Sequence, residues 1–294
     1  MNSRVVVLTV GTLALAALMW AQQKPPAQPA EQAPAAQPSQ PLAPQPQVKS
    51  KEEAEALMAI FNAPDLDTRI KAINELLAKY ADTEFKAVAL QIGAATYQQK
   101  NDFENMVIFA ERTLEADPKS YAAMLMLASS IAQRTREFDL DREEKLARAE
   151  KYARSAEEIL KTALKPNPNL TDEQWEEAKK DFRAQAHEAL GLAGMARKKY
   201  DVAIAEFKTA IEVASSPDPA TMVRLGAVYN LAGQHDEAIA LLDKLMAQAE
   251  VHPQIKQFAQ AERARAIQAK SGGAKPPAEQ PATSAPPQVE IKKP

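Results

Sequence analysis

Cysteine is absent from the chain, and histidine occurs only three times, at His187, His235 and His252. The first absence excludes disulfides, thiolate nucleophiles and cysteine-ligated metals, and it fits either redox compartment. It also excludes a lipidated cysteine behind the apolar run near the N-terminus. No two histidines stand four residues apart, so metal-ligand spacings such as HExxH are missing. The eight glycines form no GxGxxG, GxxxxGK[ST] or GxSxG pattern, which removes the usual phosphate cradles and the hydrolase elbow. Neither charge sign dominates: Lys plus Arg is 36, Asp plus Glu is 39, and the net is −3. The basic-looking stretch 134–154 is threaded with Glu137, Asp139, Asp141, Glu143, Glu144 and Glu150. It therefore reads as a solvated helix face and gives no support to nucleic-acid binding. No catalytic residue, metal site or cofactor motif is left, and the chain reads as a non-enzyme.

Proline is unevenly placed. Eight of the 21 prolines fall in 22–49 and six in 271–294, while the other seven stand singly or in close pairs. Between those seven lie long runs of Ala, Leu, Glu and Lys. A proline inside a helix removes a donor and clashes with the preceding turn, so the prolines mark junctions and the runs between them read as helices. Four segments follow. Residues 1–21 read as a signal peptide or N-terminal anchor: Arg4 precedes an uncharged, mostly apolar run over 5–20, and Ala21 offers a small residue for cleavage. Met19, two residues earlier, is not small, so an uncleaved anchor stands beside the cleaved signal. The run of 16 falls short of the roughly 20 apolar residues of a comfortable span. Residues 22–49, built from Pro, Gln and Ala, read as a disordered linker, and 271–294 as a disordered Pro-rich tail. Residues 50–270 form the folded region. The expected location is the periplasm, or the outer side of the inner membrane if the signal is retained as a tether through 5–20.

The folded region repeats itself. Leu190-Gly191 recurs as Leu225-Gly226, at an offset of 35. The same offset carries Tyr200 to His235, Ala203-Ile204 to Ala238-Ile239 and Phe207 to Leu242. In each copy, apolar residues recur at helical spacing on both sides of a short polar break, giving helix, turn, helix. This pattern resembles the tetratricopeptide repeat, a helical hairpin of about 34 residues. The family places Leu-Gly in its first helix, and Ala, an aromatic and Ala in its second. Leu190, Gly191, Tyr200, Ala203, Phe207 and Ala210 match those positions, as do Leu225, Gly226, Tyr229, Ala238 and Leu242. Two departures are His187 and Met222, where the family often has tryptophan. The clearest repeats are 87–120, 184–217 and 219–252. In the first of these Ala94 takes the small position, with Tyr97 and Phe103 as aromatics. A copy after it, from Met124 to Ala156, is interrupted by the insertion RTREFDLDREEK. An earlier hairpin is expected over 52–61 and 68–80. Thr171 and Gln174 form a capping box that opens a helix running on into the one containing Leu190. A terminal helix over 254–270 caps the array.

The resemblance implies an all-α, right-handed superhelical solenoid of helix-turn-helix hairpins, flanked by the two Pro-rich segments. It further implies a concave groove, lined by the first helix of each hairpin, that binds a partner segment. In this register the groove residues include Gln91 and Gln98, then Leu125 and Ser129. Glu188, Leu192 and Met195 follow, and after them Val223 and Asn230. That lining is neutral and nearly free of basic side chains, unlike grooves that clamp a C-terminal carboxylate. The function implied is a protein-interaction scaffold or adaptor of the cell envelope, with a protein or peptide partner. The alternative is a subunit of an outer-membrane or secretion assembly that docks through its convex face and tails.

Overall fold

The computed structural model describes residues 40–272. The apolar run 5–20, most of the linker and most of the tail lie outside them. Among the described residues there are eleven helices and, apart from one isolated bridge, no β-structure. None of these helices is long and apolar enough to cross a membrane.

Local chemistry sets the helix starts. In α1 (Lys51–Phe61) the Ser50 hydroxyl accepts the Glu53 amide at 3.1 Å, and in α2 (Leu66–Lys79) Asp65 accepts that of Thr68 at 2.8 Å. After α3 (Lys86–Gln99), Asp102 accepts the Asn105 amide at 3.1 Å and opens α4 (Phe103–Ala116). Such caps satisfy amides that the first turn leaves without partners. The accepted bonds hold both aspartates below the usual carboxylate range. Ser120 caps α5 (Tyr121–Arg134), which is followed by the longer α6 (Arg142–Leu160). The capping box is formed in both directions at α7 (Asp172–Ala196). Gln174 N–H donates to Thr171 Oγ1 at 3.1 Å, and Thr171 N–H donates to Gln174 Oε1 at 2.9 Å. Beyond it come α8 (Tyr200–Val213), α9 (Pro219–Leu231), α10 (His235–Met246) and α11 (Pro253–Lys270). Proline opens both α9 and α11, where its missing amide costs nothing.

The described residues form two compact units. The first runs to Pro118 and includes Thr162–Glu176. It holds the hairpins α1/α2 and α3/α4, with α2 also packed on α3. Ile60, Ile73, Leu76, Leu90 and Met106 are fully buried there, and so is Trp175, whose indole N–H donates to the Ala163 carbonyl at 3.4 Å. Residues 22–49 read as unordered from composition, but over 40–49 the structure departs from that reading. The extended backbone there offers its polar groups to the loop before α7. Ala43 N–H donates to Lys165 O at 2.9 Å, Lys165 N–H to Pro41 O at 3.2 Å, and Gln40 N–H to the Asp172 carboxylate at 3.0 Å. Lys165 is itself buried and paired with Asp172 at 2.7 Å.

The second unit comprises Lys119–Lys161 and everything described from Glu177 on. It contains α5/α6, the part of α7 from Glu177 on paired with α8 through Gly191 and Phe207, and α9/α10, with α11 packed on both α9 and α10. A buried cluster of Met222, Leu242, Leu245, Val251 and Ala259 closes this last contact.

Hairpins of both units share one turn. Asn101, Lys198 and Gly233 each have a left-handed backbone, with φ of 59°, 59° and 75°. After each, the next amide reaches back five residues: Asp102 to Tyr97 at 3.0 Å, Lys199 to Gly194 at 2.9 Å and Gln234 to Tyr229 at 2.8 Å. Past the turn, a large side chain lands where the first helix has none. A Cβ on Gly191 would stand 2.8 Å from the Phe207 ring, and one on Gly226 would stand 2.8 Å from Leu242 Cδ2. Gly93 meets the Phe109 ring in the same way, and there Ala94 is buried beside it. The expected order of sizes is altered in that hairpin: Met106 stands in the turn-aligned place of Ala203, and Ala110 in that of Phe207.

The close approach at Gly226 generates a stability test. Gly226→Leu overpacks the contact with Leu242 and should cost about 1–3 kcal/mol. Gln234→Leu, in the exposed turn, should change stability by less than about 0.5 kcal/mol. Urea denaturation of the two variants and the parent checks this. Equal losses would show that the crossing point lies elsewhere.

Candidate partner-binding face

In the second unit the first helices lie side by side. Tyr121 of α5 meets Phe182 of α7, with ring centroids 5.0 Å apart. The Arg224 guanidinium of α9 pairs with Glu188 of α7. Asn230 of α9 donates through Nδ2 to the Glu262 carbonyl of α11 at 2.9 Å and to its Oε2 at 3.2 Å. These contacts show which flank of each helix faces its neighbour and which face is left to solvent.

The nine residues expected to line the groove fall into three groups. Gln91 and Gln98 lie on α3 of the first unit, Gln91 half-buried and Gln98 exposed. Ser129 and Met195 are half-buried in the second unit, where the Ser129 hydroxyl donates to the Met126 carbonyl at 3.3 Å. The remaining five engage neighbouring residues. Leu125 and Leu192 are only 4% and 6% exposed and fill the space between helices. Val223 packs against the cluster under α11, Asn230 bonds to Glu262, and Glu188 is held by Arg224. These five side chains are thus engaged within the chain, on helix flanks that meet a neighbouring helix.

The face of α9 that points away from α10 carries other residues. At about 100° per residue, Arg224 and Leu231 lie roughly 160° and 140° around the helix from Gly226. Leu231 is 54% exposed. Arg224 also stands 4.0 Å from Asp218. This face of α9 therefore carries a basic side chain, paired with Glu188, that the register read from sequence left out. Taking Gly226 as the point facing α10 and counting around the helix would have found it.

His187 shows a second difference. Its place in the repeat is that of an ordinary packing residue. It instead bridges three helices, with Nδ1 2.7 Å from Glu206 of α8 and Nε2 3.5 Å from Glu157 of α6. Arg183 stands 3.9 Å from the same Glu157. His235 lies 3.4 Å from the Asn230 side chain, and His252 accepts the Gln254 amide at the start of α11. Among the described residues no group of His, Cys, Asp and Glu could hold a metal ion. Charges in the stretch 134–154 also do more than face water: Glu143 and Glu150 both pair with Arg197, which is nearly buried at the end of α7.

Burial pushes the Glu188 carboxyl above its ordinary value, against the opposing pull of Arg224. A carboxyl whose folded value is raised stabilises the fold at low pH, and that contribution is lost as pH rises through the folded value. Glu188→Gln has no such loss. Relative to the parent, the variant should gain stability as pH rises above the ordinary glutamate value of about 4. Thermal midpoints measured at increasing pH from about 4 test the sign. A constant or shrinking difference would show that Arg224 outweighs the burial.

No protein-family model matches the sequence, and no curated protein matches it. Among solved structures, the chain is similar to the crystal structure of a thermophilic tetratricopeptide-repeat protein of Thermus thermophilus. The match has 18% sequence identity and a TM-score of 0.50, and it covers 71% of this chain and 98% of that one. This likeness agrees with the hairpins, their common turn and the small residues at their crossings. By fold, the chain is a tetratricopeptide-type helical repeat protein.

Proposed function

We propose that the protein is a non-catalytic scaffold or adaptor of the cell envelope. A partner segment would lie along the solvent face of the first helices, with α5, α7 and α9 of the second unit as its main platform. Tetratricopeptide folds are typically scaffolds for protein partners, which is the general ground for this reading. The observation that carries it is the exposure of Leu231 on the face of α9 opposite α10, about one turn from the small Ala227, two from the paired Arg224 and three from Ala220. A face with an apolar anchor, small residues that admit a backbone, and one oriented guanidinium suits an extended or helical peptide.

The placement of Leu192 and Val223 dictates how this is tested. Charges introduced there would disturb helix packing and so confuse folding with binding. Leu231 is free of that problem. A photoreactive residue at Leu231 or Met195 in cells should crosslink to a partner, and one at Lys208, on the outer face of α8, should not. Leu231→Asp should weaken the captured complex about ten-fold or more, as loss of an interface anchor does, with an unchanged circular dichroism spectrum. Crosslinks from Lys208 alone would overturn the groove reading and support docking by the convex face.

A further inference from the structure

The insertion between α5 and α6 carries a pair of side chains that the repeat does not explain. Residues 135–141 form a turn held by its own backbone and by its acids. Asp139 N–H donates to Arg136 O at 3.3 Å, and Arg142 N–H to Asp139 O at 3.1 Å. The Asp139 carboxylate accepts from Arg136 N–H at 3.2 Å and from Lys145 Nζ at 3.0 Å. Asp141 pairs with the same lysine at 2.8 Å, and Glu137 with Lys198 at 2.8 Å. Every carboxylate in the turn is thus held to a cation. Phe138 and Leu140 alternate with those carboxylates and project into solvent. They are 90% and 107% exposed, whereas no other large apolar side chain among the described residues exceeds 54%. Two such side chains on a built turn form an anchor without any recess of their own, and exposure of this kind marks a contact surface.

We propose that Phe138 and Leu140 dock on the surface of a lipid bilayer. The inference rests on reading residues 5–20 as a membrane tether. Those 16 uncharged residues are short for a span, and a single weak apolar anchor gives only marginal attachment, so a second contact is needed for stable residence. The 19 residues from 21 to 39 allow at most about 65 Å between that run and Gln40, which keeps the folded region beside the membrane. A bilayer accepts projecting aromatic and aliphatic side chains without a preformed pocket. Lys145, shared by Asp139 and Asp141, with Lys198 on Glu137 and the positive charge of Arg136 near Asp139, offsets the turn's carboxylates and lowers the repulsion they would meet at an anionic surface.

The chain's lack of cysteine makes the test direct. Single Phe138→Cys, Leu140→Cys and Gln234→Cys variants of the full chain, residues 1–21 included, are labelled with an environment-sensitive fluorophore. They are then mixed with phosphatidylcholine–phosphatidylglycerol vesicles carrying nitroxide lipid. Flotation reads the tether, and quenching reads the loop. All three variants should float, with blue-shifted and nitroxide-quenched emission at 138 and 140 but not at 234. Phe138→Asp with Leu140→Asp should lower vesicle partitioning about ten-fold. Flotation with an aqueous signal at 138 would overturn the docking proposal and leave the tether standing. Failure to float would remove both. Shielding of the label at 138 from aqueous iodide before vesicles are added would point to a second copy as the occupant, and would also overturn the proposal.

Discussion

Two helices joined by a three-residue turn can pack only as closely as their side chains permit, and in this protein that distance is set by residues without side chains. Gly191 faces the Phe207 ring and Gly226 faces Leu242, in each case so closely that a single added carbon would collide. The close crossing lets the large residue of the second helix lie against backbone, where it is fully buried. It also fixes the rotation of both helices, and with that every other facing. Once Gly226 points at α10, Arg224 and Leu231 must point away from it. Val223 and Asn230 must then turn toward α11.

A single hairpin cannot bury its apolar surface alone, so the pairs rely on neighbours. In the second unit those neighbours are joined by polar as well as apolar contacts. Arg197 gathers Glu143 and Glu150, His187 sits between Glu157 and Glu206, and Asn230 holds Glu262. Each bond ties a side chain to a neighbouring helix, within a hairpin for His187 and Glu206 and between hairpins or to α11 for the others. The last helix, α11, covers the cluster around Met222 and Leu245. Its own outer face is rich in Arg, Lys and Gln, as befits the end of an array.

The repeat itself was plain in the sequence, because it depends on residue types that few other arrangements require. A Leu-Gly pair, an alanine and a large apolar residue at fixed intervals serve one helical crossing. The capping box at Thr171 was equally legible, since both of its bonds are local. What could not be read was anything decided by the neighbouring hairpin. Val223 and Asn230 have the look of groove residues until α11 arrives to cover them, and nothing in their own helix announces that. His187 occupies an aromatic position, but its two glutamates come from α6 and α8. The segment 40–49 has the composition of a linker, and its order comes from bonds to a loop more than a hundred residues later in the chain. Phe138 and Leu140 are apolar residues that composition assigns to a core, yet the turn's carboxylates, held by Lys145 and Lys198, leave them outside.

The close crossing is the central claim, and a double-mutant cycle at residues 226 and 242 measures it most directly. Gly226→Ala adds the one carbon that has no room, while Leu242→Ala removes the side chain it would strike. If the missing side chain sets the helix distance, the cost of Gly226→Ala should fall by about 1 kcal/mol or more when Leu242→Ala is already present. Strict additivity of the two substitutions in urea denaturation would contradict the account.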